Sequence, residues 1–277
     1  MLVQRNELFD VLREQGGRGD QEIDLTEAAL LLGALDFPDL DLEPYRAHAD
    51  AIARDLADVA ADAHEPAEQA RRLSMVLAET YGYDGDQLTF DDPYNANLVS
   101  VIDRRRGLPV TLGILYLHAG RHAGWPVSGL NFPGHFLVCV GEGDHIVVLD
   151  PFHSGRLLTE HELNGYLQRV KGAGAQVTPQ DLGMMSNRAV LIRLLNNIKE
   201  RALKAEDHAR ALEIAERLVV IAPRHAPILY DFAMLNARAG HLALALDTLH
   251  NAAHYAPDDA FRRKAMTSFD TVKRRLN

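Results

Sequence analysis

Hydrophobic positions in the first hundred residues recur at helical spacing. Tyr45, Ala49, Ile52, Leu56 and Val59 fall alternately four and three apart, which puts them on one face of a helix. Pro66 suits the first turn of a second helix, where its missing N–H is no loss, with Ala70, Leu73 and Leu77 turned inward. Asp92-Pro93-Tyr94-Asn95 supplies turn and cap chemistry before a short helix carrying Leu98, Val101 and Ile102. Gly107 reads as the close of that helix and Pro109 as the start of the next, which runs to about Ala123.

Between Gly134 and Pro151 the period changes. HFLVCV and HIVVLD are apolar, β-branched runs, one strand opening at His135 and a second ending at Asp150. If GEGD is a four-residue loop, Val140 pairs with His145 and His135 falls directly opposite Asp150, with Cβ atoms roughly 5 Å apart. Hairpin geometry alone therefore predicts an imidazole–carboxylate pair.

Past Lys171 the run Gly172-Ala173-Gly174-Ala175, with Pro179 and Gly183, reads as a linker. Ala211-Leu212-Glu213 then returns as Ala245-Leu246-Asp247, and Ala222-Pro223 as Ala256-Pro257. Both offsets are 34 residues, the tetratricopeptide period. Ala211 and Ala245 take the small position where paired helices approach, Gly240 a tight turn, and Pro223 and Pro257 the helix ends. Two such units cannot bury their faces alone, so they are expected to dock on the preceding domain, with 261–276 as a closing helix.

Charge narrows the range of partners. The net charge is −10, and 14 acidic residues between Asp20 and Glu68 face only Arg46 and Arg54. Phosphate contacts need clustered Lys and Arg, so no nucleic-acid partner is expected. Arg104–Arg106 and the tail Arg262, Arg263, Lys264, Lys273, Arg274, Arg275 read as helix ends favoured by the dipole. The single cysteine, Cys139, forms no intramolecular disulfide and fits a reducing compartment. No apolar run approaches the roughly 20 residues of a membrane span. A cytoplasmic protein without a membrane partner is expected.

The segments DPYNANLVSVIDRRRGLPVTLGILYL, GWPVSGLNFPGHFLV and LDPFHSGRLLT, followed by the repeats, resemble a bacterial family of transglutaminase-like proteins with a tetratricopeptide tail, the invasion-regulator homologues. The resemblance implies an α+β fold: a helical N-terminal region, a papain-like transglutaminase core with an antiparallel sheet, and an all-α tetratricopeptide-like module. Residues 1–182 would form the transglutaminase-like domain with its N-terminal helices, and 190–277 the repeats. In that superfamily a helix-N-terminal Cys is activated by a strand His that an Asp orients. The resemblance puts His135 and Asp150 on the His and Asp positions, and Pro109 on that of the nucleophile. Proline is inert there, and as the first residue of a helix it has a complete structural account.

Other residues near the pair could in principle replace the nucleophile or bind a metal. Cys139 lies on the same strand as His135 but roughly 13 Å away, and reads as a small buried hydrophobe. Thr111 turns away from position 109 around the helix. His118 and His122 share a helical face at metal-like spacing, with no third ligand in view. His153 and His161 follow Asp150, which makes a His135/Asp150/His153 metal site conceivable, although no metal or cofactor is expected. The pair His135/Asp150 is either structural or a retained binding site. The leading expectation is a non-catalytic, regulatory protein-interaction module that binds a protein partner through its repeats. The alternative is a Cys-independent amide hydrolase or acyl transferase using His135/Asp150 as general base.

Overall fold

The computed structural model describes residues 2–37, 39–143 and 145–276. They form two compact units: residues 24–190 with 2–5, and residues 6–23 together with 191–276. The architecture is α+β, with the antiparallel sheet confined to the first unit and the second built of helices alone.

α1 (Leu2–Gly17) leads into the chain, and most of it belongs to the second unit. The first unit then runs through α2 (Leu25–Ala34), α3 (Glu43–Ala60) and α4 (Pro66–Ser74), which continues as a π-helical turn over Met75–Thr80. Asp24 caps α2 by accepting from the Glu27 N–H. The apolar stripe of α3 is buried at Ala49, Ile52, Ala53 and Leu56, and that of α4 at Ala70 and Leu73. These are the faces that the spacing predicts.

Two short strands, β1 (Asp84–Gly85) and β2 (Arg106–Gly107), pair in parallel around α5 (Leu98–Arg104). α5 does not end at Gly107 as its pattern suggests. Arg105 already turns left-handed at φ 57°. Its guanidinium donates to the Tyr83 hydroxyl at 2.8 Å and lies over that ring, which offsets the backbone cost of that conformation. Gly107 is needed for close approach instead, since a Cβ there would stand 2.7 Å from Val101 Cγ2.

α6 (Pro109–His122) is the central helix, buried along nearly its whole length. It lies on a four-stranded antiparallel sheet in the order β3 (Val127–Leu130), β4 (Leu137–Glu142), β5 (His145–Asp150), β6 (Arg156–Leu158). Gly113 and Gly120 permit the contact. A Cβ at Gly113 would sit 2.3 Å from the Phe136 ring, and one at Gly120 2.5 Å from Val127. On the other face Leu130, Leu137, Cys139 and Val148 meet Leu163 and Leu167 of α7 (Glu160–Lys171). α7 starts with a capping box between Thr159 and Glu162.

The β4–β5 register corrects the sequence reading. Glu142, not Val140, pairs with His145, so two residues rather than four make the turn; one of them, Asp144, lies outside the described residues. Gly143, at φ 60°, supplies the positive φ that a tight hairpin demands. The ladder therefore slides by two. The strand opens at Leu137, and His135 sits just before it in a turn where its N–H donates to the Phe132 carbonyl. An even slide leaves every side chain on its original face.

The second unit stacks α8 (Asn187–Lys204), α9 (His208–Ile221), α10 (Ala226–Ala239), α11 (Leu242–His254) and α12 (Asp259–Leu276). Ala211 and Ala245 are fully buried at the helix crossings, and Gly240 ends α10 in the left-handed conformation. α12 closes the stack through Ala265 and Val272. α1 packs into the same unit with Phe9 and Leu12 buried. A Cβ at Gly16 would lie 1.9 Å from the Val220 carbonyl oxygen, so the backbones of α1 and α9 nearly touch. Among the described residues no helix is long and apolar enough to cross a membrane.

Candidate functional site

Asp150 ends β5 and caps the short 3-10 turn Pro151–His153 that follows. Its carboxylate is fully buried and accepts four hydrogen bonds. Oδ1 receives His135 Nε2 at 2.9 Å and the Phe152 backbone N–H at 3.0 Å. Oδ2 receives His153 Nδ1 at 2.7 Å and the Tyr166 hydroxyl at 2.8 Å. A carboxylate has about four acceptor sites, so all are filled.

Burial on its own would push the Asp150 carboxyl up. The hydrogen bond and charge of His135, followed by His153 and Tyr166, outweigh it and bring the pKa down to about 2. An ionised carboxylate has no proton to give, so His135 Nε2 and His153 Nδ1 must both be the protonated nitrogens. A His135 ring with a single proton carries its lone pair on Nδ1, for which no hydrogen-bond partner exists among the described residues. The ring is held edge-on by Tyr166 and Phe152, and its side chain keeps 20% of its surface open.

Hairpin parity brings His135 and Asp150 together despite the two-residue slide, as diagonal rather than directly opposed neighbours. Phe136, wedged between Gly113 of α6 and Gly129 of β3, fixes the backbone next to His135. His153 faces the carboxylate because residues three apart in a 3-10 turn eclipse one another, and Asp-Pro-Phe-His carries that signal. Tyr166 arrives from α7, and no local pattern in the chain points to it.

The residue that the resemblance sets at the nucleophile position is a proline. Pro109 is the first, buried residue of α6, after Leu108 at its cap. Thr111 is buried and donates to the Asn95 carbonyl at 2.9 Å. Cys139 lies in the core between the sheet and α7, and burial raises its thiol to about 11. His161 is exposed on α7. The basic run at the end of α5 is used internally: Arg104 pairs with Asp86 and Asp92, and Arg106 donates to the Gly82 carbonyl. Among the described residues two groups of side chains come close enough to share a cation, His135/Asp150/His153 and Asp50/His118/His122. In the first, a cation would have to displace hydrogen bonds that already fill the carboxylate.

A buried central helix on an antiparallel sheet that carries a hydrogen-bonded His–Asp pair at its edge is the arrangement expected of a transglutaminase-like core. Residues 43–196 match the model of the transglutaminase-like superfamily, and residues 198–269 that of the tetratricopeptide repeat. The chain belongs to the transglutaminase-like superfamily. A UPF0162 protein of Xylella fastidiosa is 30% identical over 234 residues, 83% of each chain. A UPF0162 protein of Vibrio cholerae is 32% identical over 205 residues, 73% of this chain and 74% of the relative. Human F-box only protein 21 is 31% identical over 134 residues, which span 46% of this chain and 20% of its own.

Proposed function

We propose that this chain is a non-catalytic member of its superfamily, a regulatory protein of the cytoplasm that binds another protein through its tetratricopeptide unit. Pro109 carries the reading. The ring removes both the thiol and the helix-terminal N–H from the position where covalent chemistry would begin. The only thiol is buried and held protonated. The four-fold satisfaction of Asp150 gives the His–Asp pair a structural role, joining β5, α7 and the turn before β4. The repeats supply the binding surface, since tetratricopeptide arrays present extended concave faces.

The test has two arms. The purified chain is incubated with glutamine-containing peptides and a primary amine, and separately with simple amides, at pH 6–9. No turnover is expected from it or from a His135→Ala variant. Turnover that disappears in His135→Ala would establish the alternative, a general base acting on water or amine. In the second arm, proteins cross-linked to the full chain are mapped by mass spectrometry. Cross-links should fall on residues 191–276 and survive His135→Ala; a partner that contacts only the first unit overturns the role given to the repeats.

A further inference from the structure

α6 carries a second group of ligating side chains at its C-terminal end. His118 and His122 stand one turn apart with ring centroids 4.1 Å from each other. Asp50 of α3 faces them, and one ligand atom from each of the three lies within 4.8 Å of the others. It is the third ligand that the spacing of the two histidines lacks.

Three observations point to a cation. First, Asp50 Oδ1 is 3.7 Å from His118 Nε2, too long for a hydrogen bond. It is close to the ~3.3 Å that separates two ligands of a tetrahedral zinc with 2.0 Å bonds. Second, His118 Nε2 is buried with no hydrogen-bond partner, on a side chain only 11% exposed. A polar atom withdrawn from water in this way is destabilising unless something meets it. Third, His122 Nδ1 is 2.8 Å from the His118 carbonyl. A carbonyl can only accept, so Nδ1 bears the proton and the Nε2 lone pair is left for a ligand, as in metal-binding histidines.

We propose that Asp50, His118 and His122 bind one divalent transition-metal cation of the zinc class and thereby tie α3 to α6. Two imidazoles and one carboxylate suit zinc better than magnesium or calcium, which prefer all-oxygen shells. Asp50, at 62% side-chain exposure, leaves the fourth position to water. At 1.5 Å per residue His122 lies about 20 Å along α6 from Pro109, so the site takes nothing from the vacant nucleophile position.

Zinc is titrated into the chelator-treated full chain against a chromophoric chelator. One equivalent is expected to bind. His122→Gln and Asp50→Asn, both at exposed positions, should each weaken binding at least about tenfold. His153→Gln, which removes a ligand from the other cluster, should leave the affinity within about twofold. Zinc should also raise the melting temperature of the native chain and not that of His122→Gln. No stoichiometric uptake, uptake unchanged by His122→Gln, or uptake lost in His153→Gln would each overturn the site.

Discussion

His153 holds Asp150 at least as closely as His135 does, at 2.7 Å against 2.9 Å, each on its own carboxylate oxygen. Such symmetry is unusual for a pair meant to activate a nucleophile, where one imidazole is oriented and the other oxygen is left to water or backbone. Here the carboxylate joins two rings, a phenol and a peptide N–H. Its loss should register first in stability.

Asp150→Asn should destabilise the first unit by about 2–4 kcal/mol at pH 7, because it removes the charge that four donors converge on. The pH dependence has a definite sign. The carboxyl is depressed from its ordinary 3.8 to about 2, so its stabilisation is complete above pH 4 and fades as pH falls toward 2. The shift corresponds to about 2 kcal/mol. Urea melts of both proteins at pH 6 and pH 2.5 should show the difference shrinking; a constant gap would mean that the carboxylate charge is not what stabilises the unit.

Tyr166→Phe deletes one donor and keeps the ring that packs against His135. A loss of about 1–2 kcal/mol is expected. The His153 imidazole resonances should move, since the Tyr166 oxygen is also 3.4 Å from His153 Nδ1. Unchanged His153 resonances would place the hydroxyl outside the network.

Gly113→Ala pits two effects against each other. Alanine favours the helix by about 1 kcal/mol. Its Cβ, however, would enter a Phe136 ring that Gly129 traps from the other side, with a Cβ there 2.7 Å away. Overpacking costs about 1–3 kcal/mol and should win. A variant that melts higher than the native chain would show that the ring can step aside.

Pro109→Cys in a Cys139→Ala background places a single thiol at the helix start. The helix terminus and the His135 lone pair should draw its pKa below the usual 8.5. Thiolate absorbance against pH reads this directly. A thiol titrating above 8.5 would mean that position 109 does not face the His135 ring, and the reading of Pro109 as the silenced nucleophile would fall.

Much of the core was legible in the sequence for identifiable reasons. The α3 and α4 stripes follow helical period, and the repeats announce themselves by a fixed offset. His135 and Asp150 could be paired through a mistaken register, because a slide of two preserves the face. The slide itself escaped, since GEGD accommodates either turn and the choice rests on the φ of Gly143. Tyr166 and Asp50 were invisible for another reason: each reaches its partners from a separate helix, and no local spacing encodes such contacts. The end of α5 was misplaced because Arg105, not a glycine, takes the left-handed turn, on terms set by Tyr83.

The grouping of residues 6–23 with 191–276 makes the two units nested rather than consecutive. During synthesis α1 emerges early and α9 only after the 167 residues of Asp24–Val190 have been made. At roughly 5–20 residues per second, that is a wait of about ten to thirty seconds. For that interval the apolar face of α1, with Phe9 and Leu12, has no partner of its own. The first unit can close during the wait, whereas the helical unit is assembled last, from segments on either side of it in sequence.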